Sequence, residues 1–228
     1  MSFVIDSAPQ ASVPVVNTDQ RFPVRRVYCV GRNYAAHARE MGHDPDREPP
    51  FFFMKPADAL VTDGADMPYP PATADLHHEI EMVVALKGGG RDIPVEAAND
   101  LIWGYGVGLD MTRRDIQGEA KKMGRPWDMG KGFDHSAPLA ALHPVTETGI
   151  IEDAAIWLDV NGVRRQESVL KALIWSIPET INYLSGLVSL HPGDLIFSGT
   201  PEGVAATVRG DTLHGHVDGL TDLHVRLV

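Results

Sequence analysis

A single cysteine, Cys29, stands in this chain of 228 residues, so no internal disulfide framework holds it together, which suits a reducing compartment. Basic residues are scarce: 20 Lys and Arg against 31 Asp and Glu leave a net charge of −11, and no basic stripe overrides it. A nucleic-acid partner held by phosphate neutralisation is therefore excluded as an expectation. No apolar run approaches the length that crosses a bilayer, and the opening MSFVIDSAPQ lacks a basic region followed by an apolar one. A soluble, cytoplasmic protein without a membrane partner is expected. No internal repeat, low-complexity run or composition shift marks a linker. What is present is a 43% hydrophobic chain, enough for one well-buried domain at 25–228, preceded by an N-terminal arm or edge strands at 1–24.

The pattern is mostly β. Short alternating runs bounded by Gly, Pro and Asp predict strands in PPFFFMKP, DALVTDG, LIWGYGVGLD and AIWLDVNGVRRQ, the last with an Asn-Gly hairpin turn, and three strands in the tail from GDLIFSGTPEGV onward. Helices are expected in NYAAHAREMG, MTRRDIQGEAKKMG and IPETINYLSGL. The stretch DLHHEIEMVVALKGGG reads as one strand. Ile80, Met82, Val84 and Leu86 face one side; Glu79, Glu81, Val83 and Ala85 face the other.

Glu79 and Glu81 sit in an otherwise apolar strand. Residues two apart on a strand lie roughly 7 Å apart, where two like charges repel by about 2 kcal/mol at an effective dielectric near 20. Either the start of this face is exposed, or both carboxylates hold a hard cation with a third oxygen ligand. Asp110 supplies a candidate, at the end of a strand whose Gly104, Gly106 and Gly108 leave one face bare for a close approach. Three carboxylates without cysteine select Mg²⁺, Mn²⁺ or Ca²⁺ over zinc. His77 and His78 are strand neighbours and point apart, which argues against a histidine zinc site.

His37 and Glu40, three apart on a short helix, share a face and suit a general base with its orienting carboxylate. Lys131, Lys55, Arg114 and Gln117 could bind a carboxylate or a developing negative charge. The SGTPEGV loop could present Thr200 and backbone N–H groups to an anion. For each of these an ordinary solvated residue or tight turn is the competing explanation. The remaining histidines, including His143, His214, His216 and His224, form no constellation in the sequence and read as surface or packing residues.

The motifs VGRNYAAHAREMG, FMKPADAL, HHEIEM, GYGVGLDMTRRDIQ, GRPWDMGKGFDHSAP and LIFSGTPEGV, in this order, resemble the fumarylacetoacetate hydrolase family, and within it the short bacterial fumarylpyruvate hydrolases. The resemblance runs from about Val24 to the C-terminus. It implies a rolled mixed β-sandwich with a few short helices, usually a homodimer. It also implies metal ligands at Glu79, Glu81 and Asp110 for Mg²⁺ or Mn²⁺, a His37–Glu40 dyad with Lys131 as catalytic groups, and substrate contacts at Arg114, Gln117, Lys55 and Thr200.

The reaction so implied is metal-dependent hydrolysis of the carbon–carbon bond of a 3-acylpyruvate, a small diketo acid, with fumarylpyruvate giving fumarate and pyruvate. Acylpyruvate hydrolysis, oxaloacetate decarboxylation and dienedioate isomerisation stay open within the family, and a catalytically silent metal-binding β domain outside it. A fumaryl group ends in a second carboxylate and wants a distant cation. Arg32, Lys121, Lys122 and Arg125 all remain candidates for that contact.

Overall fold

The computed structural model describes residues 4–35 and 48–228. In chain order its strands are β1 (Ser12–Pro14), β2 (Arg21–Pro23), β3 (Arg26–Gly31), β4 (Phe51–Lys55), β5 (Leu60–Val61), β6 (Leu76–His77), β7 (Ile80–Leu86), β8 (Ile102–Leu109), β9 (Thr112–Arg113), β10 (Ala137–Pro138), β11 (His143–Pro144), β12 (Ala155–Val160), β13 (Val163–Val169), β14 (Asp194–Phe197), β15 (Ala206–Thr207), β16 (Thr212–Val217) and β17 (Leu223–Arg226). The helices are α1 (Val95–Ala98), α2 (Arg114–Lys122), α3 (Asp128–Lys131), α4 (Val145–Thr148) and α5 (Ile177–Leu187).

A six-stranded mixed sheet, ordered β11-β8-β7-β14-β3-β4, packs against a four-stranded antiparallel sheet, β13-β12-β16-β17. All of β7 is buried because both of its faces are covered. Ile80, Met82, Val84 and Leu86 enter the main core with Ile156, Leu158, Leu213 and Val217 of the smaller sheet. Val83 and Ala85 face a second cluster with Cys29, Leu195 and Phe197, closed from below by Val13 and Phe22 of the β1–β2 hairpin. β12 and β13 are joined by Asn161 and Gly162, both at positive φ (53° and 75°), as the twist of a two-residue hairpin demands.

The structure departs from the sequence pattern in three places. The stretch from Asp75 is two strands, because the chain breaks at His78–Glu79, where Gln166 Oε1 takes the Ile80 N–H (3.1 Å) and contacts His78 Nδ1 (2.9 Å). The tail forms four strands instead of three, spread over three sheets, with β14 inserted between β7 and β3 in the centre of the larger sheet. The bare glycine face of β8 is filled by the protein itself: a Cβ on Gly104 would lie 2.0 Å from the His143 carbonyl, and one on Gly108 2.7 Å from the Phe197 ring. The close approach at these glycines is made by the protein's own backbone and side chains.

Candidate active site

The β7–β8 ladder places the acidic groups. Glu81 pairs with Gly108, and the Asp110 N–H donates to the Glu79 carbonyl at 2.8 Å, so the chain break before β7 and the end of β8 are locked side by side. One carboxylate oxygen from each of Glu79, Glu81 and Asp110 then lies within 4.8 Å of the others. All three residues are buried. The exposed-face alternative for the two glutamates is thereby removed.

Three cations are brought to this cluster by different elements. Lys131, on α3, donates to Glu79 Oε2 (2.6 Å), Asp110 Oδ2 (2.7 Å) and Thr112 Oγ1 (2.7 Å). Its place is set by close packing of α3 on α2, since a Cβ on Gly130 would sit 3.0 Å from Gln117. Burial works against the Lys131 ammonium, but the charges of Asp110 and Glu79 outweigh it and its pKa rises, so it is a fixed positive charge and not a base. Arg114 pairs with Glu79 and donates to Gln117 Oε1 at 2.7 Å. Lys55 is fully buried behind Asp110, 2.9 Å from Oδ1, with hydrogen bonds to the Met111 and Lys131 carbonyls.

Glu81 is the unbalanced member. Its Oε2 accepts the Gly199 N–H at 2.8 Å, so the SGTPEGV loop gives a backbone donor to an anion, and the anion is the protein's own carboxylate. Burial, then the charges of Asp110 and Glu79, push the Glu81 pKa well above its ordinary value. Asp110 Oδ1 has Lys55 Nζ at 2.9 Å, an ion pair without a well-directed hydrogen bond, because the Met111 and Lys131 carbonyls aim two of the three N–H groups of Lys55 elsewhere. Three carboxylates in contact, one of them a carboxyl that resists ionisation, ask for further positive charge. An all-oxygen set of this kind fits Mg²⁺ or Mn²⁺.

The cavity above the carboxylates is lined by Arg114, Gln117, Lys131 and Thr200. Lys55, expected among the substrate contacts, does not line it and instead supports Asp110. Gln166 donates to Thr200 Oγ1 at 2.8 Å, so the threonine hydroxyl keeps its own hydrogen to give. Of the four distant cations, Arg32 and Lys121 line the cavity, and Lys122 and Arg125 do not. His77 turns to Asp75 (2.8 Å) and His78 to Gln166, so they diverge as strand neighbours should. His37 and Glu40 lie outside the described residues.

The model of the fumarylacetoacetate (FAA) hydrolase C-terminal domain matches residues 26–228. The chain belongs to the fumarylacetoacetate hydrolase family. A fumarylpyruvate hydrolase from Ralstonia sp is 43% identical over 185 residues, 80% of this chain and 96% of that protein. A mitochondrial oxaloacetate tautomerase from Rattus norvegicus is 39% identical over 203 residues, 89% of this chain and 91% of its own. The crystal structure of fumarylpyruvate hydrolase from Pseudomonas aeruginosa in complex with Mn²⁺ and pyruvate matches with a TM-score of 0.98 at 54% identity, covering 100% of this chain and 99% of that one.

In this member of the fumarylacetoacetate hydrolase family, the sequence reading missed Thr112 and Gln166, which act through other residues. Thr112 holds Lys131, and Gln166 holds Thr200, His78 and the chain break before β7. β13 is polar along most of its length, so nothing in the sequence sets Gln166 apart, although it is the one fully buried residue of that strand.

Proposed function

We propose that this chain hydrolyses the carbon–carbon bond of a 3-acylpyruvate, with fumarylpyruvate as the substrate and fumarate and pyruvate as products, in the last step of gentisate breakdown. The activity is that of a hydrolase on a ketonic carbon–carbon bond, and the cofactor is Mg²⁺ or Mn²⁺. We further propose a homodimer in the cytoplasm.

The observation that carries the choice of substrate is a second set of cations in the lining of the cavity that the carboxylates share. Arg32 lies over the Phe51 ring at 5.2 Å and Lys121 over the Trp127 ring at 5.9 Å, while Phe51 and Trp127 meet edge to face at 5.2 Å. Among the described residues neither cation forms an ion pair. Burial, then the charges of Arg32 and Arg114, lower the Lys121 pKa, so like charges crowd the cavity. Such crowding suits a dianionic substrate: one carboxylate at the acidic centre and one between Arg32 and Lys121, with the flat fumaryl chain against the aromatic rings.

Glu79, Glu81 and Asp110 would hold the ion, which when bound supplies Lewis acidity toward the pyruvoyl oxygens. His37, oriented by Glu40, is proposed on family resemblance to take a proton from water as it attacks the acyl carbonyl. The bond between that carbon and the pyruvate methylene carbon then breaks, its electron pair leaves with pyruvate, and a proton completes the product. Lys131, with Gln117 or Arg114 beside it, stabilises the developing oxyanion. All three of its N–H groups are engaged in the present arrangement, so it turns to substrate by giving up one carboxylate. The Thr200 hydroxyl, its oxygen held by Gln166, donates to the pyruvoyl carboxylate.

Oxaloacetate tautomerisation is the second reading, favoured by the relative from Rattus norvegicus. An assay of the purified chain with fumarylpyruvate, acetylpyruvate and oxaloacetate, each with Mg²⁺, Mn²⁺ or EDTA, separates the two. EDTA-sensitive loss of the fumarylpyruvate chromophore, with fumarate and pyruvate formed, is expected; a higher kcat/KM for keto–enol exchange of oxaloacetate overturns the proposal. An Arg32→Leu, Lys121→Met double variant should lose about 10- to 100-fold in kcat/KM for fumarylpyruvate and little for acetylpyruvate, which lacks the second carboxylate.

A further inference from the structure

The outward face of the four-stranded sheet carries a second cluster of ligating groups that the reaction does not use. His214 on β16 and His224 on β17 are direct cross-strand partners, and their rings stack at 4.2 Å. Asp222, two residues before His224, meets His214 Nε2 with Oδ2 at 2.7 Å. One ligand atom from each of His214, Asp222 and His224 lies within 4.8 Å of the other two. We propose that these three residues form a surface site for a borderline divalent transition ion, Zn²⁺, Ni²⁺ or Cu²⁺, chemically distinct from the acidic centre.

Three features of the surroundings carry the assignment. The donors are two imidazole nitrogens and one carboxylate oxygen, a set that prefers these ions to Mg²⁺ or Mn²⁺, whereas the acidic centre offers carboxylates. Tetrahedral ligands about 2.0–2.1 Å from zinc lie roughly 3.3 Å apart, so partly exposed side chains reach that geometry by small rotations. The carboxylate is also oriented from behind: Asp222 Oδ1 meets His216 Nδ1 at 2.6 Å, and His216 Nε2 meets Asp218 Oδ1 at 2.9 Å. The His216 ring is stacked on Trp157 at 4.8 Å and 19°. Carboxylates and imidazoles braced in this way are what fixes ligand orientation in metal sites.

The two sites stand back to back across the core. Gly215, between His214 and His216, packs on Ile80, between Glu79 and Glu81; a Cβ on Gly215 would lie 2.5 Å from Ile80 Cδ1. The outer site has open positions toward solvent, because three protein ligands do not fill a tetrahedral or larger shell. It therefore suits exchangeable capture of the ion and not a sealed structural role.

Copper distinguishes the two sites by the nucleus it touches. The EDTA-treated full chain is given substoichiometric Cu²⁺ and its electron paramagnetic resonance recorded, with the same measurement on His214→Gln, His224→Gln and Asp222→Asn. The expected result is a nitrogen-coupled signal in the parent chain that is lost in both histidine variants, with Cu²⁺ affinity falling on the order of 10- to 100-fold in Asp222→Asn. Mn²⁺-dependent turnover should stay unchanged and the unfolding midpoint should shift only slightly in all three variants, which excludes misfolding as the cause. A signal without nitrogen coupling, or one that survives in both histidine variants, overturns the proposal and leaves the cluster as a proton-sharing brace between β16 and β17.

Discussion

Two clusters of charged side chains are built on sheets that pack face to face, and they are held by opposite means. The acidic centre on β7 and β8 is buried, its carboxylates surrounded by Lys55, Lys131 and Arg114 and by the Gly199 N–H. The histidine–aspartate cluster on β16 and β17 is partly solvated and braced mostly by its own side chains. Removing one partner from a buried set leaves an uncompensated charge in a low dielectric and costs several kcal/mol, whereas water replaces a lost partner at the surface. Rigidity at the acidic centre therefore comes from interdependence, and the outer cluster remains free to exchange its partners.

The largest effect that sharpens this contrast is expected from Glu81→Ala. Loss of one carboxylate removes several kcal/mol of transition-state stabilisation, on the order of a 10³-fold fall in turnover, with Mn²⁺ affinity lost in calorimetry. Activity near the parent level without metal would sink the acidic centre as the seat of the reaction. Lys131→Met comes next: kcat should fall on the order of 10²- to 10³-fold while KM changes little. A change confined to KM would make Lys131 a clamp for substrate.

The third prediction concerns pH. The Glu81 carboxyl is raised in the folded state, so the stability it contributes is complete below its ordinary value of 4.5 and is lost as pH rises through the raised folded value. Metal-free protein should show a urea midpoint that falls from about pH 5 upward, and Glu81→Gln should flatten that fall. Saturating Mn²⁺ should remove it as well, because the ion favours the carboxylate form. A pH-independent midpoint in EDTA would contradict the burial and charge described for Glu81.

The smallest effect is expected at the outer cluster. Burial pulls the His216 imidazolium pKa down, but hydrogen bonds to Asp218 and Asp222 outweigh it and the pKa lies above 6.5. Burial likewise raises the Asp222 carboxyl, yet bonds from His214 and His216 bring it below 3.8. The network's stability is present above 3.8 and below 6.5; it is lost as pH rises through the His216 value or falls through the aspartate value. For these solvated groups the whole contribution is small, and Asp222→Asn should cost less than about 1 kcal/mol in urea unfolding. A loss of several kcal/mol, the scale of breaking a buried charged set, would erase the distinction between the two clusters.

Much of the acidic centre is legible in the chain because it is local. Glu79 and Glu81 are two residues apart, Asp110 ends the glycine-alternating strand, and Arg114 and Gln117 follow at helical spacing. Lys55 shows the limit of such reading, since an isolated lysine in FFFMKPAD has the same sequence signature whether it faces the cavity or, as here, braces Asp110 from behind. Gln166 was invisible for a related reason: its partners His78 and Thr200 lie 88 and 34 residues away. The tail histidines read as unconnected in the sequence, although alternation puts His214 and His216 of LHGHV on one strand face and Asp222 and His224 of DLH on one face. What no spacing contains is the register that sets His214 opposite His224.

By itself the sequence determined the mostly β architecture, the family, the all-oxygen character of the ion site and the residue types at its rim. These follow from alternation, turn chemistry and neighbours a few residues apart, which are short-range properties of the chain. The tertiary structure decided how the protein closes the glycine face of β8 with its own backbone and side chains, and which of four cations reach the cavity. It also decided that Glu81 is buried against the Gly199 N–H, and that two strands bring their histidines together. Each of those depends on strand register and on the packing of one sheet against another, and such contacts between distant residues exist only once the core has excluded water and brought the sheets into contact.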